Sequence, residues 1–254
     1  MKQELYAWVR KRSLAKRVSS LRNFLRAPER KTTPLPPSTK ALVLAPHPDD
    51  ESIGCGGTLG LIREQGGTFD IAFLTDGAAG GNADLSGKRL VDARKAEAEQ
   101  ATKVLGVNKI FFLDQPDSKL HFDTDETASR VSKIIGEANY DIIFCPWPYD
   151  GHSDHEAAFR ILFESLKLTP RFKGQVWLYE VWNPLIPNRF VDISDFYSQK
   201  RKAIECYESQ IAGTNYLDAF SSLARYRSLM VPGAQYVEAF LEGDRKFILS
   251  LGKR

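Results

Sequence analysis

The chain has 254 residues and a formal net charge of +3, with 43% hydrophobic and 26% charged residues. This composition is that of an ordinary globular protein and excludes a collagen-like or wholly disordered chain. A chain of this length can bury a large core without disulfides, and its three widely spaced cysteines do not form a disulfide framework. The sequence therefore predicts a protein of a reducing compartment, the cytoplasm.

Positive charge is concentrated in the first 38 residues, which carry ten Lys or Arg against two Glu, a local balance of +8. The rest of the chain carries −5, so the charge does not indicate a nucleic-acid-binding protein. Apolar residues between positions 5 and 25 recur mostly at spacings of three and four, which predicts an amphipathic helix with a basic opposite face. Its apolar runs are too short to cross a bilayer or to form a signal peptide.

Two interpretations of this basic arm, residues 1–39, stay open. The helix can pack on the protein or on a partner, or it can lie on an anionic membrane surface through residues 1–30 as a peripheral contact. Four prolines between positions 27 and 40 make the remainder of the arm a predicted linker. The predicted catalytic domain is residues 40–254.

After residue 40, short apolar runs alternate with helical patterns. The predicted strands are 41–47, 70–74, 109–113, 141–145 and 175–181, and the predicted helices extend to 63 and cover 90–105, 126–138 and 155–166. This alternation predicts a single α/β domain with a Rossmann-like, mostly parallel sheet and helices on both faces. From residue 198 the pattern is largely helical, ending with 236–241. In such sheets the ligand lies beyond the carboxyl ends of the strands.

Clusters of histidine and acid follow the first and fourth predicted strands. They are His47, Asp49, Asp50 and Glu51 after the first strand, and His152, Asp154 and His155 after the fourth. Carboxylates crowded this closely favour a bound cation, and zinc accepts imidazole nitrogen and carboxylate oxygen together. Either cluster alone could instead be a loop with a helix N-cap. Because three of the four histidines follow strands at one predicted edge of the sheet, the pattern favours a catalytic metal site.

Two strings resemble the motifs of a known family: APHPDDESIGCGGTL at 45–59 and GHSDHEAA at 151–158. They are similar to the two motifs of the PIG-L (LmbE-like) N-deacetylases, zinc hydrolases that remove acetyl groups from N-acetylglucosamine-type sugars. LTDGAAGG at 74–81, the pair Arg94 and Glu97, and FLDQPDSKL at 112–120 follow the order of the family. The resemblance extends from about residue 40 to 242.

The resemblance implies a metal-binding set and a base. His47, Asp50 and His155 would bind Zn²⁺ or another divalent metal, and Asp49 would be the general base. The chemistry of these residue types agrees with those roles, because a metal ion activates water while a neighbouring carboxylate takes the proton.

The resemblance also implies roles around the substrate. His152, oriented by Asp154, would stabilise the oxyanion or protonate the leaving amine, with a carboxylate neighbour holding the imidazole cationic. Arg94 and Asp117 would contact substrate hydroxyls, although Arg94 could form an i,i+3 ion pair with Glu97 on the helix surface and Asp117 could simply begin a turn. Trp182, after the fifth strand, could stack on a sugar face or pack in the core.

These residues predict a metal-dependent hydrolase that uses metal-activated water to deacetylate an N-acetylglucosamine-type amino sugar, whether free, nucleotide-linked or lipid-linked. A zinc amidase acting on a non-sugar or thiol-conjugate amide is the alternative, since the same catalytic atoms would serve. The run Gly54-Cys55-Gly56-Gly57 does not indicate a dinucleotide site, because its spacing is not G-x-G-x-x-G and the preceding loop is acidic. The sequence leaves the oligomeric state open.

Overall fold

The structure, a computed structural model, describes residues 34–80, 86–212 and 215–251. The predicted amphipathic helix and most of the predicted linker lie outside the described residues. Within the described ranges, no helix has the length and apolar character needed to cross a membrane.

One seven-stranded sheet forms the centre of the protein. Its strands are β1 (Lys40–Ala45), β2 (Thr68–Thr75), β3 (Lys109–Gln115), β4 (Ile142–Pro146), β5 (Gln175–Tyr179), β6 (Arg189–Asp192) and β7 (Val237–Asp244). They lie in the order β3-β2-β1-β4-β5-β7-β6. Strands β1 to β5 are parallel, whereas β7 runs antiparallel to both β5 and β6. The predicted α/β fold with a mostly parallel sheet is confirmed.

Helices cover both faces of this sheet. Those in the described ranges are α1 (Asp50–Glu64), α2 (Gly87–Leu105), α3 (Thr124–Glu137), α4 (Ser153–Leu168), α5 (Tyr197–Glu205), α6 (Glu208–Ile211), α7 (Tyr216–Ser228) and α8 (Arg245–Leu251). Single 3₁₀ turns lie at Leu120–Phe122 and Ser194–Phe196.

The alternation of side chains along β1 divides the core into two layers. Ala41, Val43 and Ala45 belong to the layer that contains α1, α2 and α5, while Leu42 and Leu44 belong to the layer of α3, α4 and α8. All five side chains are fully buried. A strand that is covered on both faces is apolar throughout, which is why this segment reads as a continuous hydrophobic run.

The region from residue 198 differs from its predicted helical pattern, because β7 joins the sheet there, and β6 just before it is a further strand that the sequence did not predict. Residues 236–241, predicted to end a helical region, lie mostly in β7 between β5 and β6. Glu238 and Glu242 interrupt the apolar pattern of this strand, yet both are buried beside Lys200 and Arg189, each pair at 2.6 Å. Charged residues that are buried as ion pairs interrupt the apolar pattern from which a strand is predicted, so the sequence pattern did not indicate β7.

The strand order places the two motif loops side by side. From β1 the chain builds the sheet outward through β2 and β3, and it then returns to place β4 on the other side of β1. The crevice beyond the carboxyl ends of β1 and β4 is where open α/β sheets bind their ligands. His47 follows β1 and His152 follows β4, so the two motifs meet at this crevice.

Glycines allow α1 to approach the sheet closely. A Cβ atom on Gly54 would overlap the ring of Tyr179 on β5, and one on Gly57 would lie 2.7 Å from the Ile193 side chain. Tyr179 is fully buried and its hydroxyl donates to the Leu44 carbonyl of β1 at 2.9 Å, which holds the ring in place. The glycine run therefore serves helix–sheet packing directly behind the first motif.

We expect Gly54→Ala to lower the free energy of unfolding by about 1–3 kcal/mol, because the added methyl group must displace packed groups. A urea titration followed by circular dichroism measures this. Gly136→Ala in α3 is the matched control, since that glycine is exposed and an added Cβ meets no atom within 4 Å. The control should gain about 0.5–1 kcal/mol, and equal stability of the two variants would contradict the packing role.

Candidate metal centre

The loop between β1 and α1 carries Asp49 in an unusual backbone conformation. Asp49 has φ 135° and ψ −30°, and sparsely populated regions of this kind cost a non-glycine residue about 1–3 kcal/mol. Its carbonyl accepts the N–H groups of Ser52 and Ile53 at 3.0 Å, so that α1 begins at once. The turn is closed by the His47 N–H, which donates to Asp50 Oδ2 at 2.9 Å. His47, Asp49 and Asp50 all line one pocket as a result.

The loop between β4 and α4 supplies two further imidazoles. Gly151, with φ 92°, provides the positive φ with which the chain enters α4. His152 is the N-cap of α4, and its Nδ1 accepts the backbone N–H of Asp154 at 3.2 Å. His155 lies in the first turn of the helix and is fully buried, whereas His152 lines the pocket.

One carboxylate oxygen lies between the two motifs. Asp50 Oδ2 is 3.2 Å from His47 Nδ1 and 3.3 Å from His155 Nε2. His155 Nε2 is buried and makes no hydrogen bond within the described part of the chain. Nitrogen atoms of His47, His152 and His155 also lie within 4.8 Å of one another. The structure thus brings the three predicted ligands together and adds His152 to their surroundings.

On each ligand imidazole, the nitrogen that faces away from Asp50 contacts another carboxylate. His155 Nδ1 lies 2.7 Å from Oδ1 of Asp150, which is fully buried. His47 Nε2 lies 3.2 Å from Asp154 Oδ2 and 3.3 Å from Asp117 Oδ1. Such contacts orient an imidazole and leave its other nitrogen for a metal ion.

The same carboxylates shift the protonation of the imidazoles. Burial lowers the pKa of His47, but the contacts with Asp117 and Asp154 outweigh burial and hold the pKa well above its usual range. Burial also lowers the pKa of His155, and its carboxylate neighbours, Asp50 foremost, raise it to about 9. Surroundings that stabilise two imidazolium ions would equally stabilise a divalent cation.

This donor set fits a divalent metal. Two imidazole nitrogens and a carboxylate oxygen are the ligand types of catalytic zinc sites with three protein ligands, which keep a fourth position open. Nε2 of His155 is buried and lies 3.3 Å from Asp50 Oδ2 without a hydrogen bond, so it is an atom that a metal ion would satisfy. His47, Asp50 and His155 would hold the ion.

Asp49 is held beside the ligands by Arg94. Nη2 of Arg94 donates to the Pro48 carbonyl at 2.7 Å and lies 3.4 Å from Asp49 Oδ2, while Nη1 donates to the Gly77 carbonyl at 3.0 Å. Burial raises the pKa of Asp49 to about 7, although Arg94 opposes the shift. A carboxyl group that titrates near neutral pH is suited to accept and return a proton. A contact between Arg94 and substrate stays a prediction.

His152 differs from its expected surroundings in two respects. The Asp154 carboxylate accepts the Ser118 N–H at 2.7 Å and contacts His47, so the ring of His152 is oriented by the backbone of Asp154 and not by its carboxylate. Burial and the imidazoles of His47 and His155 lower the pKa of His152, so the ring is not held cationic. Because Nδ1 accepts a hydrogen bond, the neutral ring carries its proton on Nε2 and can donate from there.

An aromatic wall borders the same pocket. Trp182 is 52% exposed and lies 6.1 Å, ring to ring, from Tyr216 of α7, with Phe220 one turn further along that helix. Its exposure excludes the interpretation of Trp182 as a core residue. Asp117 lines the pocket too, but its oxygens contact a ligand imidazole and the Ala79 N–H, so its contact with substrate stays a prediction.

The residues of the site that sequence reasoning missed include Asp150 and Tyr216. The position of Asp150, directly before the GHSDH string, was a signal for it. Its second oxygen, Oδ2, accepts the backbone N–H groups of Val181 and Trp182 at 2.9 and 3.1 Å. Tyr216 belongs to no motif, and only the folding of α7 over the pocket reveals it.

Known proteins resemble this chain in sequence and in fold. The family model described as "PIG-L: GlcNAc-PI de-N-acetylase" matches residues 42–166. A diacetylchitobiose deacetylase of Thermococcus kodakarensis is 33% identical over 190 residues, which are 67% of this chain and 70% of that protein. A 4-oxalmesaconate hydratase of Pseudomonas putida is 28% identical over 195 residues, 68% of this chain and 75% of that protein.

A solved structure is similar to this chain in both fold and sequence. The N,N′-diacetylchitobiose deacetylase of Pyrococcus horikoshii, in complex with an inhibitor, has a TM-score of 0.73 and 30% identity, covering 82% of this chain and 85% of that one. The family model and these deacetylase relatives thus place the chain in the class of hydrolytic N-deacetylases. The chain belongs to the PIG-L family, as its two motif strings predicted.

We expect Asp150→Asn to weaken metal binding about 10–100-fold. In this variant the amide oxygen of the asparagine keeps the backbone contacts after β5, so its NH₂ group donates to His155 Nδ1. A ring nitrogen that accepts a hydrogen bond carries no proton, so the proton of the neutral imidazole moves to Nε2, the atom that would bind the metal. Chelator competition for zinc measures the affinity. Asp141→Asn is the control, because the Asp141 carboxylate accepts the Lys40 N–H at the opposite sheet edge. Equal affinities in the two variants would remove Asp150 from the site.

Proposed function

We propose that this chain is a zinc-dependent N-deacetylase that hydrolyses the acetamido group of an N-acetylglucosamine-type amino sugar. The observation that carries the proposal is the Asp50 oxygen shared by His47 and His155, with Asp49 lining the same pocket. The printed names of the family model and of the Thermococcus and Pyrococcus relatives support the acetylated amino sugar as the substrate class.

A zinc ion bound by His47, Asp50 and His155 would polarise a water molecule and the amide carbonyl. The Asp49 carboxylate accepts a proton from the water molecule while the water oxygen forms a bond to the carbonyl carbon of the acetyl group. Three properties suit Asp49 to this role: it lines the pocket, it lies outside the ligand set, and its pKa is about 7. Arg94 keeps its carboxylate in place.

His152 stabilises the oxyanion that forms on the acetyl group. Its neutral ring donates from Nε2, because Nδ1 is occupied by the Asp154 N–H. A neutral imidazole keeps its proton at this step, so the leaving amine takes its proton from Asp49, which gained one from the water. The carbon–nitrogen bond then breaks to give acetate and the free amino sugar.

The aromatic wall is the sugar-binding part of this proposal. A half-exposed indole at a pocket rim offers a flat apolar face to the C–H groups of a pyranose ring. Trp182 has that exposure, and Tyr216 stands at an angle of 77° to it. The two rings therefore form a corner that can receive one face and one edge of a sugar.

We expect Asp49→Asn to retain zinc while its kcat falls about 100- to 10,000-fold, since an amide cannot take the proton from water. His155→Ala should lose the metal, because it removes a ligand. Zinc content by elemental analysis, measured beside acetate release, separates the two effects. Equal loss of zinc in both variants would overturn the division between base and ligand.

The substrate is tested by acetate release from free, nucleotide-linked and lipid-linked N-acetylglucosamine, with and without a chelator. We expect chelator-sensitive release, and Trp182→Ala should raise KM with zinc content unchanged. Release only from a non-sugar or thiol-conjugate amide would replace the sugar by the alternative substrate, and hydration of 4-oxalmesaconate without acetate release would overturn the deacetylase. A preference for the lipid-linked sugar that is lost without residues 1–30 would assign the basic arm to membrane contact.

A further inference from the structure

We propose that Tyr207 and Glu51 position Asp49 for catalysis by clamping the peptide unit that precedes it. Both are positioning residues, because they act on the reaction only through the backbone of Asp49. The inference rests on the role of Asp49 as general base in the proposed function, and it assigns a role to a tyrosine that lies outside the range matched by the family model.

Asp49 needs a device of this kind because of its backbone conformation. The other described non-glycine residues with positive φ are Ser38, Asp114 and Ser118, and their values of 54° to 63° are those of the left-handed helical region. Asp49, at 135°, lies outside that region. A conformation so sparsely populated persists only where the surrounding contacts hold it.

Two side chains form hydrogen bonds with the peptide group that joins Pro48 to Asp49, one at its carbonyl oxygen and one at its N–H. Its carbonyl oxygen accepts Arg94 Nη2 at 2.7 Å, and its N–H donates to Glu51 Oε2 at 3.1 Å. Rotation of this peptide plane changes φ of Asp49 and therefore the direction of its carboxylate. These contacts therefore set the direction of the Asp49 carboxylate, and the hydrogen bonds described for the Arg94 and Glu51 side chains do not go to the side chains of the three metal ligands.

Tyr207 fixes the carboxylate half of the clamp. Glu51 is fully buried, and its other oxygen, Oε1, accepts the hydroxyl groups of Tyr207 and Ser52, each at 2.6 Å. With Oε1 held by two hydroxyls, Oε2 stays directed at the Asp49 N–H. Tyr207 is itself fully buried, so its hydrogen bond to Glu51 is shielded from bulk water.

Helix α2 links the two sides of this clamp, Arg94 on one side and Glu51 with Tyr207 on the other. Arg94 and Glu97 lie one turn apart on this helix, and both Glu97 oxygens accept from Ser209, one from its N–H at 2.8 Å and one from its hydroxyl at 2.7 Å. Ser209 lies two residues after Tyr207. The helix that supplies Arg94 therefore also anchors the segment that carries Tyr207, and Glu97 is not the ion-pair partner of Arg94 that its spacing suggested.

The test compares Tyr207→Phe with Tyr140→Phe, which is closely matched. Tyr140 is buried too, and its hydroxyl donates to the carboxylate of Asp70 at 2.6 Å, at the opposite edge of the sheet. We expect Tyr207→Phe to lower kcat about tenfold with KM and zinc content unchanged, since a small misplacement of a catalytic group costs this much or more. Tyr140→Phe should lose a similar amount of thermal stability and keep its kcat.

Crystal structures of both variants supply a readout that needs no activity. In Tyr207→Phe the Glu51 carboxylate should rotate away from the Asp49 N–H, and φ of Asp49 should leave its present value. An unchanged Glu51–Asp49 contact would overturn the proposal, as would a displaced contact with an unchanged kcat or a kcat loss shared by Tyr140→Phe. If the wild-type chain releases no acetate from any substrate, the proposed function fails, and the crystal structures still decide whether Tyr207 holds Asp49.

Discussion

The site depends on the pairing of buried carboxylates with imidazoles. Asp50, Asp150 and Asp154 are almost excluded from water, and each has an oxygen within 3.3 Å of a nitrogen of His47 or His155. Removing one partner of a buried pair leaves an uncompensated charge, which is far more destabilising than the loss of an exposed pair. Since Asp50 contacts both imidazoles, the loop after β1 and the first turn of α4 form one electrostatic unit.

The parallel sheet makes this unit possible by bringing distant loops together. β1 and β4 are neighbours in space although about a hundred residues separate them in the chain. The carboxyl ends of parallel strands share one edge, so the acids and histidines that follow them meet. The C-terminal region then closes the site from outside the matched family range, with Tyr207 behind the base and Tyr216 at the pocket wall.

Sequence alone predicts the parallel strands, the family and the meeting of His47 with His155, because local periodicity and motif position carry that information. It does not predict β7, whose buried Glu238 and Glu242 depend on partners far away in the chain. The family resemblance implied that Asp154 orients His152, but the turn of α4 directs the Asp154 carboxylate to His47. Contacts of long sequence separation, such as that between Tyr207 and Glu51, leave no local pattern to read.

The two oxygens of Asp150 have a consequence for redesigning the substrate range of the enzyme. One oxygen contacts His155, and the other accepts the backbone N–H groups of Val181 and Trp182. A change in the length of the 180–188 loop would shift the backbone of Val181 and Trp182. Because the Asp150 carboxylate contacts both this backbone and His155, the shift would also displace the His155 imidazole. Exchange of the Trp182 side chain leaves the backbone contact intact. Engineering of new specificity is therefore better directed at side chains on this loop than at insertions or deletions within it.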